Sequence, residues 1–316
     1  MQPQHLPWYT SHMQTSDGYV TLADGVRLYF QRLYIEKVGS GPKAVIIPNG
    51  FHLLDDFRHV GDWRTLIFYD VRNRGRSDEV ADQSKLARGI LEDVDDLDAV
   101  RHYFGIDQAD VIGHSYVGLM VALYAMKYPA HVGRVVQIGP MQPDAAKQYP
   151  AHLRNTDATF AEVMAKIGHM MKEPPSGDPE DVCKKFWAVL RAMYVADPKD
   201  AERIDWGRCD LPNERNFRRY WIGQIWPSIQ SLKLTADDFA KAKAPVLVVH
   251  GTKDRSSPYG GGRDWAMQLP NARLVTVENA AHAPCIEAPE LVFGSITTFL
   301  DGAWPEAAKK VTSLEH

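Results

Sequence analysis

An α/β fold with a mostly parallel twisted sheet and helices on both faces is predicted for this 316-residue chain by three observations. Short apolar runs such as Ala44-Val-Ile-Ile47, Leu66-Ile-Phe-Tyr69 and Val246-Leu-Val-Val-His250 are bounded by polar turns rich in glycine and proline, which is how strands covered on both faces read. Segments of helical periodicity lie between them, so strand and helix patterns alternate. The alternation stops from about Met141 to Leu232, a stretch rich in Trp, Met and charge, and then resumes. A helical block between two sheet strands is most simply an inserted helical cap.

Taken in order, Tyr19-Val-Thr-Leu22 and the run Val26 to Tyr34 flank Asp24-Gly25 and read as a hairpin. Buried strands follow at Ala44–Ile47 and Leu66–Asp70, the second ending in the polar loop Val71-Arg72-Asn-Arg-Gly75-Arg-Ser77. Ile90, Leu91, Val94, Leu97 and Val100 make the apolar stripe of a helix over 90–103, with its acids on the other side. Next come a strand ending at Gly113-His114-Ser115, a helix, and a strand over 132–138. Helical periodicity marks 160–171 and 181–194. Strands at 244–250 and 272–277 and an amphipathic helix from Pro289 to Leu300 complete the pattern. The implied division is a core of residues 1–140 and 233–313 and a cap of 141–232, with Leu314-Glu315-His316 as a tag remnant.

Composition bounds the function. With 45% hydrophobic and 24% charged residues and a net charge of -4, the chain lacks the concentrated basic face that nucleic acid or an anionic membrane calls for, so the expected partner is a small molecule. No oligomeric state is encoded in the pattern. Cys183, Cys209 and Cys285 are too few and too scattered for a disulfide framework, and no Cys/His group has zinc-ligand spacing, so no metal is expected. The beginning of the chain has no basic stretch leading into an apolar run. A reduced, cytoplasmic location is therefore the expectation.

The chemistry centres on Asp110-Val-Ile-Gly-His-Ser115-Tyr-Val-Gly-Leu-Met120, where an apolar strand runs through a sharp turn directly into a helix. A serine before a helix can serve as nothing more than an N-cap. Two further residues give it a chemical meaning: Asp254 follows one later strand in Gly251-Thr-Lys-Asp254, and His282 follows the next in Glu278-Asn-Ala-Ala-His282. A weakly nucleophilic hydroxyl needs a base beside it and an acid to orient that base. His114 adjoins the serine and reads as a structural neighbour rather than as the base.

These residues, in this order after these strands, resemble the α/β-hydrolase family over nearly the whole chain. The resemblance implies an α/β-hydrolase fold with Ser115 as nucleophile, Asp254 as acid and His282 as base, working without a metal or other cofactor. It extends to the loop Asp70 to Ser77 and to Pro48-Asn49-Gly50-Phe51, which matches the family's oxyanion loop. The backbone N–H groups of Phe51 and Tyr116 are then the oxyanion donors. Two departures are visible: Val117 stands where the elbow usually has a small residue, and Asn49-Gly50 replaces His-Gly.

Serine at the elbow, where relatives with alkyl-enzyme chemistry carry aspartate, implies an acyl-enzyme. The cap and the segment Cys209-Asp-Leu-Pro-Asn-Glu214 resemble the proline iminopeptidase branch, which makes Glu214 the candidate for holding a substrate ammonium. That branch's His-Gly-Gly-Pro-Gly loop is absent. The expected function is hydrolysis of small to medium, largely apolar carboxylic esters. A proline iminopeptidase-like aminopeptidase is the alternative, and a ligand-binding receptor or lyase on the same scaffold a second one. Candidate substrate contacts are Asn49, Gly50, His52, Glu214, Trp187 and Trp221.

Overall fold

Nine strands form one sheet in the order β1-β2-β4-β3-β5-β6-β7-β8-β9. The structure is a computed structural model and describes residues 13–35, 43–49, 53, 56–61, 64–172, 177–204, 208–215 and 220–313. The hairpin strands β1 (Met13–Thr21) and β2 (Arg27–Ile35) pair antiparallel about the Asp24-Gly25 turn. From β3 (Lys43–Pro48) and β4 (Arg64–Tyr69) through β5 (Ala109–His114), β6 (Val132–Ile138), β7 (Val246–Gly251) and β8 (Ala272–Val277) the pairing is parallel. A two-residue strand, β9 (Ala308–Lys309), closes the far edge antiparallel to β8 and had no counterpart in the sequence pattern.

The apolar strands are covered on both sides because alternate residues feed two cores. Ile46, Ile67, Val111, Val135 and Val248 belong to a core shared with the buried residues of α1 (Ile90–Tyr103) and α2 (Tyr116–Lys127). Val45, Ile47, Leu66, Phe68, Ile112, Val136 and Val249 join Val292, Ile296 and Phe299 on the opposite side. Each buried Val, Ile or Leu contributes roughly 1.5–3 kcal/mol. Helix α2 is buried at eleven of its twelve positions, so the helix that follows Ser115 is fixed on every side.

Between β6 and β7 the described elements are all helical and include α3 (Ala151–Thr156), α4 (Ala158–Lys172), α5 (Pro179–Leu190), α6 (Pro212–Arg215), a π-helical turn at Trp221–Ile225, α7 (Trp226–Ser231) and α8 (Ala236–Lys241). After β7 come α9 (Gly260–Gln268), α10 (Pro284–Glu287) and α11 (Pro289–Leu300). None of the helices among the described residues is long and apolar enough to cross a membrane.

Two sequence expectations are corrected. Cys183 in α5 and Cys209 form a disulfide with their Cα atoms 5.8 Å apart, and only Cys285 is free. A framework of several bridges needs many cysteines, but one bridge needs only two that the fold brings together. The acids of α1 do not all face water either, because Asp93 and Asp96 are buried. Asp96 accepts from Arg72 at 2.9 and 2.8 Å. Neither carboxyl oxygen of Asp93 has a hydrogen-bond partner among the described residues, and burial, followed by the charge of Asp96, pushes its pKa well above the ordinary carboxyl value.

A carboxyl that stays protonated in the fold but ionises in the unfolded chain costs stability progressively as pH rises from the unfolded pKa toward the folded one. Asp93→Asn removes that cost while keeping the shape. Thermal melts should show the variant more stable than the parent, by more at pH 8 than at pH 5.

Candidate active site

Ser115 occupies a backbone conformation that few side chains tolerate, φ 60° and ψ -126°. The turn is held from both ends: Ser115 N–H donates to the Ile138 carbonyl at 2.9 Å, and its own carbonyl accepts from Leu119 and Met141, each at 3.3 Å. Gly113 is required by contact, since a Cβ there would run into the carbonyl of Val117. Val117 itself is buried and lines the cavity beside Ser115. The departure from a small residue there is thus accommodated, because the close approach falls at Gly113.

Asp254, on the turn after β7, and His282, on the loop after β8, meet at the carboxyl edge of the sheet. His282 Nδ1 lies 2.8 Å from Asp254 Oδ2, and both side chains are fully buried. Burial alone would raise the Asp254 carboxyl. The field of His282 and hydrogen bonds from His250 and His282 outweigh it and hold the pKa at about 2. A carboxylate so held fixes the imidazole with Nδ1 as donor, which leaves Nε2 as the basic nitrogen. That Nε2 has no hydrogen-bond partner among the described residues.

The residues around His282 hold its loop in place. His114 Nε2 donates to the His282 carbonyl at 2.8 Å, and burial, then the neighbouring His282, pushes the His114 pKa down to about 3. Tyr194 sets its ring edge-on to His282 at 4.6 Å while its carbonyl accepts from Ala283 N–H at 2.8 Å. Gly139, with φ +47°, leaves just enough room: a Cβ there would lie 3.0 Å from His282 Nδ1 and 3.2 Å from Asp254 Oδ2. Sequence reading singled out neither Tyr194 nor Gly139 for this place. The only signal was the Gly139-Pro140 pair closing β6.

A cavity of about 360 Å³ opens onto Ser115. Helices α4 and α5 contribute Met164, Ile167, Phe186, Trp187 and Leu190, and Trp221, Ile222 and Trp226 come from the π-helical turn and α7. Of the expected substrate contacts, Asn49, Trp187 and Trp221 line it. Gly50 and His52, like the proposed oxyanion residue Phe51, lie outside the described residues. Tyr116 opens α2 and so presents a backbone N–H that the helix itself cannot satisfy. Its ring packs edge-on to Trp221 at 5.5 Å. Its hydroxyl accepts long hydrogen bonds, both 3.4 Å, from Asn49 Nδ2 and Arg74 Nη1.

Glu214 does not line the cavity. It accepts from Arg74 Nε at 2.7 Å, from Arg74 Nη2 at 2.9 Å and from Gly75 N–H at 3.0 Å. Both partners are buried. Burial would lower the Arg74 pKa, but the charge of Glu214 more than reverses that, and the guanidinium stays ionised. The site expected to capture an ammonium is therefore occupied by the chain's own arginine, and the segment carrying Glu214 is docked onto the loop after β4. Asn213 strengthens that docking by donating to the Ser77 carbonyl.

Comparison with known proteins places the chain among hydrolases of one fold. The proline iminopeptidase of Saccharolobus solfataricus is 32% identical over 314 residues, 92% of this chain and 93% of that protein. The bifunctional esterase/perhydrolase DCH of Acinetobacter calcoaceticus is 25% identical over 86% of this chain and 95% of its own length. Among solved structures, an esterase from Exiguobacterium antarcticum shares the fold with a TM-score of 0.67 at 16% identity, over 91% of this chain and 100% of that one. The family described as alpha/beta hydrolase fold matches residues 52–289. With a family match over most of its length and relatives that are a proline iminopeptidase and an esterase, this chain is a hydrolase that belongs to the alpha/beta hydrolase fold family.

Proposed function

We propose that the protein hydrolyses uncharged, largely apolar carboxylic esters through an acyl-enzyme on Ser115. The observation that carries this reading is the character of the chamber. Most of its wall is aromatic, Met and aliphatic, no Asp or Glu among the described residues lines it, and Arg74 in the wall is neutralised by Glu214. An ester with apolar groups on one or both sides suits such a wall. The aminopeptidase alternative needs a carboxylate free to take a substrate ammonium, and Glu214 has both oxygens engaged.

In the proposed sequence Ser115 Oγ attacks the carbonyl carbon while its proton passes to His282 Nε2. Asp254 keeps the ring oriented and stabilises the imidazolium. The oxyanion is received by the Tyr116 N–H and, as the family resemblance implies, by that of Phe51. His282 then protonates the leaving alcohol, and water deacylates the serine by the same relay. We assign the helical block of residues 141–232 as the cap that selects the substrate, with the chemistry kept in the core. The Cys183–Cys209 bridge favours oxidising surroundings over the cytoplasmic location suggested by the cysteine count.

Ser115→Ala should keep the wild-type melting profile and lose at least about four orders of magnitude in kcat on p-nitrophenyl butyrate. A fluorophosphonate should label the parent on Ser115. Retained turnover in the variant, or a label on Cys285, would refute the assignment and reopen the receptor and lyase alternatives.

Glu214→Gln leaves the Arg74 charge uncompensated. Losing one partner of a buried pair costs about 3–5 kcal/mol of stability, so Tm should fall. Relative to a neutral ester, an ester bearing a free carboxylate should gain about tenfold in kcat/KM as Arg74 becomes available to it. If the variant instead loses activity on prolyl-arylamides with ester turnover intact, Glu214 holds a substrate amine and the aminopeptidase reading stands.

A further inference from the structure

We propose that His250 is a positioning residue for this reaction, a second imidazole that holds the Asp254 carboxylate in place for His282. The inference rests on the roles given above to Ser115, Asp254 and His282. His250 is the penultimate residue of β7 and is completely buried. Its Nε2 lies 2.6 Å from the Ser257 carbonyl oxygen and 3.1 Å from Asp254 Oδ2. A carbonyl oxygen only accepts, so Nε2 bears the hydrogen and directs it between two acceptors. The other ring nitrogen, Nδ1, has no partner among the described residues and faces Gly262, where a Cβ would collide with it. The ring therefore has one way to bond, as a donor toward Asp254 and Ser257.

Asp254 is consequently held by four donors. Oδ1 accepts from the backbone N–H groups of Ser256 and Ser257 at 2.8 and 2.7 Å, and Oδ2 from His282 Nδ1 and His250 Nε2 at 2.8 and 3.1 Å. The two amides fix one oxygen, and the carboxylate could still swing about it. His250 removes that freedom on the side where His282 must be held. It also draws on the charge of Oδ2, which tempers the pull of the carboxylate on the imidazolium of His282.

Other titratable groups surround the pair without bonding this carboxylate through their side chains among the described residues. The His114 ring centroid lies 4.5 Å from that of His282. Tyr194 and Tyr149 border the same site from the helical block, and Glu287 caps Ala281 and Ala196. Tyr259 packs on His250 at 5.7 Å with its hydroxyl on Thr276. Among the described residues, only the His250 and His282 side chains hydrogen-bond to Asp254 Oδ2.

The test is a pH profile of kcat/KM on a neutral p-nitrophenyl ester for the parent, His250→Leu and His250→Gln, with Ser115→Ala and Asp254→Asn alongside. Without the His250 donor, Oδ2 pulls harder on protonated His282. The acid limb should therefore move to higher pH, by about half a unit. At the plateau kcat should fall about tenfold with KM unchanged, the effect of one lost hydrogen bond to a charged group. Gln carries a donor at the position of Nε2 and should restore both the limb and kcat. His250→Asn is too short to reach Oδ2; it should behave like Leu, and it carries the test if the Leu variant does not fold. An unmoved acid limb in folded His250→Leu or His250→Asn, or equal losses in Gln and Leu, would overturn the inference and leave His250 a packing residue. Full activity in Ser115→Ala or Asp254→Asn would instead overturn the reading of the site itself.

Discussion

The backbone turn at Ser115 is the constraint on which the rest of the site depends. A non-glycine residue with φ near 60° and ψ near -126° stores roughly 1–3 kcal/mol of strain and persists only where its surroundings over-determine it. Here they do. The strand before it is paired on both sides, the helix after it is buried almost end to end, and Gly113 lets the two backbones nearly touch. The same turn puts the first free N–H of α2 beside the hydroxyl, so in the proposed mechanism the attacking group and one charge-stabilising group are set by a single local geometry. Gly139, at the end of the neighbouring strand, then clears the space in which Asp254 and His282 meet.

Much of this was legible because the signals are local. Continuous apolar runs marked the parallel strands, and the helix expected from Pro289 to Leu300 is found with those bounds. Ser115, Asp254 and His282 could be proposed since each lies within five residues of a strand end, and strand ends are easy to read. What escaped depends on partners far apart in sequence. Asp93 and Asp96 looked like the solvent face of a helix, because nothing in α1 announces that Arg72, 24 residues before Asp96, comes to lie beside it. Glu214 looked free because Arg74 is 140 residues away. The cysteine bridge spans 26 residues without a repeating motif, and β9 is too short to register as a pattern.

The loop after β4 links the pieces. Arg72 reaches down to Asp96 of α1, Arg74 across to Glu214, and Arg76 back to Asp70 at 2.8 Å. Buried ion pairs add little net stability, since desolvation offsets most of their attraction. They are selective about geometry, however, and here each arginine accepts one docking arrangement. The segment holding Glu214 is thereby registered against the core beside the cavity, with the orientation of Tyr116 tied in through its hydroxyl.

The Cys183–Cys209 bridge closes a covalent ring around Phe186, Trp187, Leu190, Met193 and Tyr194, which together form much of one cavity wall and the brace of His282. Closing a loop of this length restrains the unfolded chain by roughly 3 kcal/mol. The ring also divides the labour of backbone and cross-link. A protease that nicks one peptide bond inside it releases no fragment, so the wall outlasts a cut that would detach an unbridged segment. The durability of this wall is set by the thiol chemistry of its surroundings as much as by the packing of its side chains.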